Sequence, residues 1–259
     1  MTLIIPANAP SVYKGIPDRM ESLVNTNNVG MANNWTVSVW MSPEEASLIS
    51  RTMFSTVRSD GATPSSVLFV SFVELFGLQF TFIRLWSNTG VEFKLYAYQE
   101  IWEYDTWYHA VLTWNGTSLL FYQNGVFVTP TSTPTDGAGT QSDFSRSVAL
   151  GSVSTTGSSD DGSLPGIYNS CGVWNTALSA SEIAAIYSGG YGYKLDLNQP
   201  YGNYAKHGAL CHLWRPGRDP SNIGRDWCST GNEPLINLDM VGITTADIWS
   251  AAPKQALGD

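Results

Sequence analysis

The sequence predicts an all-β protein, and three observations carry the prediction. Charged residues make up 14% of the chain, well under the roughly 25% of an average globular protein, while Gly, Ser, Thr and aromatic residues are abundant. The run WYHAVLTWNGTSLLFYQNGVFV, residues 107–128, alternates with a period of two, so that Tyr108, Ala110, Leu112 and Trp114 share one face of a strand. Asn115-Gly116 and Asn124-Gly125 interrupt that run, and both dipeptides accept the positive φ angles that tight hairpin turns demand. Three consecutive antiparallel strands are expected between Trp107 and Val128.

In chain order, residues 1–20 read as an N-terminal arm. Their three prolines remove backbone donors and break regular pairing. From Trp35 the β pattern is clear, with Trp35, Val37, Val39 and Met41 on one face against Thr36, Ser38 and Trp40. Further strands are expected at Leu48–Val57, Ser66–Val73, Leu78–Trp86 and Val91–Tyr98, joined by turn-forming linkers such as RSDGATPSS and SNTG. A long polar loop follows the central hairpins. Short strands are then expected at Ser147–Gly151 and Pro165–Trp174, on either side of the loop STTGSSDDGS. One helix is expected near 179–187: Ser179 caps it, Glu182 completes a capping box, Leu178 and Ile183 form a hydrophobic staple, and Gly189-Gly190 stops it.

Bulk properties exclude whole classes of function. The net charge of −9 and the lack of any Lys/Arg run argue against nucleic acid as a main ligand. No stretch of about 18 apolar residues is present, so no membrane insertion is expected. The N-terminus lacks a basic region followed by an apolar one, and the expectation is a soluble protein made without an export signal. Cys171, Cys211 and Cys228 are too few for a disulfide framework.

The segments NWTVSVWMSP, WYHAVLTWNGTSLLFYQNG, VALGSV and PGIYNSCGVWNTALSASEIAAIYSGG, in that order and spacing, resemble the laminin-G-like domains of the concanavalin A-like lectin and glucanase superfamily. The resemblance runs from about Glu21 to Gly190 and implies a two-sheet antiparallel jelly-roll sandwich. It also implies three candidate uses of that fold, since function lives in sites grafted on a fold rather than in the fold itself.

Glycoside hydrolysis in the superfamily's glucanases takes carboxylates in a Glu-x-Asp-x-x-Glu pattern. Here only Glu103 and Asp105 are in place and the third position is Tyr108, so the acid and nucleophile pair is incomplete and no catalytic residue is assigned. Calcium is the one ion the resemblance raises, because hard oxygens gather at the rim of such domains. The relatives' acidic positions flanking the final block's Gly are Pro165 and Asn169 here. Asp160 and Asp161 are the remaining metal candidates, beside the plainer reading of a solvated loop tip. Glycan or protein binding without chemistry is the third use, with Trp86, Trp102, Tyr104 and Trp107 near loop ends as candidate stacking platforms. Most of the ten tryptophans must nonetheless fill the space between sheets.

Residues 21–195 thus form the expected domain, and residues 196–259 an irregular C-terminal extension. The extension is rich in Pro, Gly, Asn and Asp yet too apolar for a disordered tail. Its His212–Asp219 and Ile223–Asp226 patterns resemble the C-terminal parts of laminin-G-like virion proteins of marine tailed phages. Trp214, Arg215, Arg218, Trp227 and Trp249 are its candidate assembly residues, and Arg215, Arg218, Asp219, Arg225 and Asp226 form an ion-paired knot or a partner contact, beside the plainer reading of a solvated turn. His207, Cys211, His212 and Cys228 raise zinc, but Cys228 has no close companion and buried thiols are the expectation.

The reading as a whole is a non-enzymatic virion structural protein at the particle surface, a capsid decoration or fibre component. Its expected partners are other virion proteins and copies of itself. The alternative is a lectin module that binds extracellular glycans.

Overall fold

The computed structural model describes residues 11–14, 19–21, 31, 34–44, 51–57, 66–75, 78–86, 92–99, 102–131, 135–136, 147–151, 164–241 and 243–249. In chain order the strands are β1 (Ser11–Lys14), β2 (Arg19–Glu21), β3 (Trp35–Pro43), β4 (Arg51–Val57), β5 (Ser66–Leu75), β6 (Leu78–Trp86), β7 (Glu92–Gln99), β8 (Tyr108–Trp114), β9 (Leu119–Gln123), β10 (Val126–Phe127), β11 (Thr135–Asp136), β12 (Ser147–Leu150) and β13 (Gly166–Trp174). The helix α1 (Ala180–Tyr187) follows, then β14 (Leu210–Trp214), β15 (Asp239–Val241) and β16 (Ile248–Trp249). The expected strands are present with boundaries shifted by a few residues; the expected start at Leu48 lies outside the described residues.

The strands form two antiparallel sheets. The first runs β10-β9-β8-β3-β13-β1-β16, with β14 also paired to β13; the second runs β11-β7-β6-β5-β4-β12-β2-β15. Alternate residues face inward, as a period of two requires. Val37, Val39, Met41, Ala110, Leu112 and Trp114 of the first sheet meet Ile83, Leu85, Tyr96, Tyr98, Val148 and Leu150 of the second in one core cluster. A cavity of about 20 Å³ remains among Val37, Val39, Met53, Phe54, Ala110, Leu112 and Phe121. Its apolar lining offers a water no partners.

The two Asn-Gly dipeptides build different turns. Asn124 (φ 51°) and Gly125 (φ 80°) make the tight two-residue connection between Gln123 and its partner Val126. At the other, only Gly116 has positive φ, and the connection spans residues 115–118. Asn115 explains the difference: its Oδ1 accepts from the Thr117 N–H (3.0 Å) and the Ser118 N–H (2.8 Å), closing an Asx turn.

Alternation in β3 and β8 suggests one buried face, but every residue of both strands is buried. The reason is a third layer over the outer face of the first sheet. Ile183 and Ile186 of α1, with Leu178, Leu195, Leu197 and Tyr204, cover Val111, Tyr122 and Trp174. Trp174 Nε1 donates to the Tyr204 hydroxyl (2.9 Å), which donates to Leu197 O (2.8 Å). The polar outward positions are satisfied beneath that layer. Thr36 Oγ1 donates to Thr176 O (2.8 Å) and accepts from the Leu178 N–H (2.9 Å).

The helix starts as expected, with the Glu182 carboxylate accepting from the Ser179 N–H (2.9 Å) and Ser179 Oγ accepting from the Glu182 N–H. It stops one residue before the glycine pair: Ser188 takes the left-handed conformation at φ 51° and its N–H donates to Ala184 O.

Both chain ends join the sandwich. The N-terminal arm, which could lie along its own domain or reach a neighbour, places β1 and β2 on its own domain, with β1 paired to β13 and β2 to β12. The expectation that the C-terminal extension stands apart from the sandwich is corrected. The extension supplies β14 to the first sheet, sets Trp214 fully buried in the core between sheets, and sends β15 to β2 and β16 to β1. Leu210, Leu213, Trp214, Ile236 and Leu238 of the extension are thereby buried within the chain, while Leu235 stays exposed.

Candidate functional site

The aromatic candidates mostly belong to the core. Trp102 is 6% exposed, packs edge-on to Tyr108 at 4.8 Å, and donates through Nε1 to Thr81 Oγ1. Trp107 is 8% exposed and clusters with Trp40 and Tyr193 under the third layer. Neither presents a ring to a ligand, which corrects the expectation of a stacking platform there. A strand-end position says nothing about which segment later covers it. Tyr104 is half-buried in the turn before β8, and Trp86 closes β6 with its side chain outside the described residues.

Glu103 and Asp105 are both exposed and occupy that same turn. Asp105 sits at φ 57° with its N–H bonded to Pro43 O (2.8 Å), while the Glu103 N–H donates to the Tyr108 hydroxyl (2.8 Å). The two carboxylates do not line a strand face. Asp160 and Asp161 lie outside the described residues, and among those described no group of three or more His, Cys, Asp or Glu is placed to hold a metal. Cys171, Cys211 and Cys228 are buried and free; burial pushes the Cys171 thiol far up and that of Cys211 to about 12.

Of the five charged residues that crowd the extension, Arg225 and Asp219 form an ion pair at 3.2 Å, and Asp226 is the centre of a separate hydrogen-bonded knot that includes none of the arginines. Asp226 Oδ2 lies 2.7 Å from His212 Nδ1 and accepts from the Ile236 N–H (3.1 Å), while Oδ1 accepts from the N–H groups of Leu213 (3.0 Å) and Cys228 (3.0 Å). Arg215 is buried and donates to Leu195 O. Arg218 and Arg225 are exposed, and their guanidinium carbons lie 5.1 and 4.6 Å from the half-buried Trp227 ring. Trp249 pairs through its backbone with Ser11, its side chain outside the described residues.

Exposed aromatic surface lies away from the expected stacking residues. Tyr191 is 58% exposed and Tyr201 37% exposed, on the turns that follow α1. Ser188 joins them: its carbonyl accepts from the Tyr191 N–H (3.2 Å) and its Oγ donates to the Tyr201 hydroxyl (3.2 Å). Lys194 Nζ lies 5.8 Å from the Tyr191 ring centre and 5.5 Å from that of the buried Tyr193. Gly189, at φ 56°, leaves open space where a side chain would stand. In the helix before these turns, Tyr187 stacks near-parallel to His109 at 6.0 Å, and Trp40 to His109 at 4.7 Å. The stretch GGYGYKLDLNQPYGNY holds four tyrosines among turn residues, and its pattern does not tell the exposed Tyr191 and Tyr201 from the buried Tyr193 and Tyr204.

The fold so described is that of the lectin-like β-sandwiches. The Laminin G 3 family, of the Concanavalin A-like lectin/glucanases superfamily, matches residues 19–184, and the chain belongs to it. Among curated proteins no sequence match is found. Solved structures similar to this chain include the native heptameric SAP-like pentraxin of Limulus polyphemus, with a TM-score of 0.54 and 15% identity over 92% of this chain and 96% of that one. A proposed carbohydrate binding protein of Bacteroides ovatus gives a TM-score of 0.62 and 14% identity over 97% of this chain, which spans 62% of that protein's length. The CBM40 of the Ruminococcus gnavus IT-sialidase, bound to alpha2,3 sialyllactose, gives 0.50 and 11% over 68% and 95%. At such identities the likeness is one of fold.

Proposed function

We propose that this protein is a non-enzymatic glycan-binding module whose sugar platform is the Tyr191–Tyr201 surface. The observation that carries the reading is the Tyr191 ring, 58% exposed on a turn anchored to the third layer. A ring held that way offers its face to the C–H side of a pyranose, while the Tyr201 and Ser188 hydroxyls stand by as hydrogen-bond partners. The lectin-like fold supports the reading, as do the carbohydrate-binding descriptions of the Bacteroides and Ruminococcus structures. A binding role without hydrolysis is supported by the exposed turn that carries Glu103 and Asp105, where the opposed acid and nucleophile of a glycosidase have no counterpart. A glycan array read with the wild type and with Tyr191→Ala tests it. Bound sugars lost in the variant are expected; an array with no binding, or one unchanged by the substitution, contradicts it.

The patterns His212–Asp219 and Ile223–Asp226 favour a setting for that activity, the surface of a tailed-phage virion as a decoration or fibre component beside other virion proteins. Electron microscopy of purified particles labelled for this chain tests the setting, and particles without label contradict it.

A further inference from the structure

The chain has 13 Lys and Arg against 22 Asp and Glu, and four of the cations, Lys194, Arg215, Arg218 and Arg225, belong to two segments that lie against each other. Arg215 reaches Leu195 O, Asn198 Nδ2 donates to Trp227 O (3.1 Å), and the Ser229 N–H donates to Asn198 Oδ1 (2.8 Å). Trp227 lies at the centre of the second segment, with the guanidinium groups of Arg218 at 5.1 Å and Arg225 at 4.6 Å.

The nearby acids are already engaged. Asp219 pairs with Arg225 at 3.2 Å and accepts from Ser221, Asp226 is buried against His212, and Asp196 accepts from Asn198. Arg218 is exposed, and among the described residues its side chain makes no hydrogen bond or ion pair. Attraction of a guanidinium to an indole ring uses none of its N–H donors as hydrogen bonds, so those of Arg218 remain available to an anion.

We propose that the Arg218–Trp227–Arg225 cluster is a docking point for the acidic groups of an acidic polysaccharide. The planar fork of Arg218 matches two oxygens of a carboxylate or a sulfate bidentately, and Asp219, the adjacent acid in the chain, is held by Arg225 at 3.2 Å and so leaves Arg218 as the uncompensated cation. The inference rests on the cation cluster alone; binding of neutral sugars at Tyr191 is read separately on the array, so either can fail without the other.

Titration of the full chain with dextran sulfate, polygalacturonate and uncharged dextran tests it. Dextran sulfate or polygalacturonate is expected to bind with an affinity that falls as salt is raised, and uncharged dextran is not. The acidic polymer that binds identifies the group as sulfate or carboxylate. Arg218→Gln, an exposed substitution whose fold is checked by its melting curve, is expected to weaken that binding at least tenfold. Arg218→Lys, which keeps the charge and loses the fork, is expected to fall between the two. Absence of binding to both acidic polymers, equal binding of dextran, or wild-type affinity in Arg218→Gln overturns the proposal.

Discussion

His109 shows how burial rewrites a residue's chemistry. It lies in β8 under α1, its ring in a triangle of near-parallel rings with Trp40 and Tyr187, with Nε2 2.7 Å from Ser38 Oγ and its buried Nδ1 without a hydrogen-bond partner among the described residues. Burial lowers its pKa from the ordinary 6.5 to about 3, because a charged imidazole there would lose its hydration. In the unfolded chain the ring takes up a proton below about 6.5; in the folded protein it does so only near 3. The unfolded state therefore binds more protons across that window, and stability declines as pH falls through it. Melting temperature measured against pH should fall from about 6.5 towards 3, and His109→Gln should flatten that slope while lowering the melting temperature at neutral pH. An equally steep acid limb in the variant would show that other groups govern it. Asp226 is the second residue of this kind. Asp226→Ala strands three backbone N–H groups and His212 Nδ1, each buried donor costing about 1–3 kcal/mol. Denaturant unfolding should show loss of most of the stability; a midpoint near that of the wild type would contradict this account of the knot.

At the scale of elements, legibility follows from how local the determinants are. The β8–β9–β10 hairpins and the capping box of α1 were readable because a two-residue repeat, an Asn-Gly dipeptide and a Ser-x-x-Glu spacing act over a few residues. The roles of β14, β15 and β16 were not, since LCHLW, DMV and IW are too short to show a repeat and pair with strands far away in sequence. The burial of Trp107 and Trp102 is as non-local: Tyr193 of the third layer covers Trp107, while Trp102 enters the core between the sheets against Tyr108 and Phe121. Of the candidate binding surface, only the composition around Tyr191 and Tyr201 was visible; their exposure depends on the path of the chain after α1. The structure predicts that residues 1–195 cannot stand alone. Deleting 196–259 removes β14 and Trp214 from the core and strips Leu197 and Tyr204 from Trp174, and a single buried Trp is worth on the order of 2–3 kcal/mol. The truncated chain should aggregate or lose cooperative melting, as sedimentation and melting curves would show; a soluble, cooperatively melting fragment would contradict the packing described.

The whole molecule is a sandwich sealed on one side. Helix α1 and the segment after it close the outer face of the first sheet, and the paired chain ends join both sheets through β1 with β16 and β2 with β15. That closure leaves the Tyr191–Tyr201 turn as an exposed feature beside the third layer, and the central claim is that this feature binds sugar. Calorimetric titration of the wild type, Tyr191→Ala and Tyr201→Ala with the strongest neutral glycan from the array tests it most directly. The account predicts at least tenfold weaker binding in Tyr191→Ala, a smaller loss in Tyr201→Ala, and melting curves for both that overlay the wild type, since neither ring is buried. Wild-type affinity in both variants would contradict it.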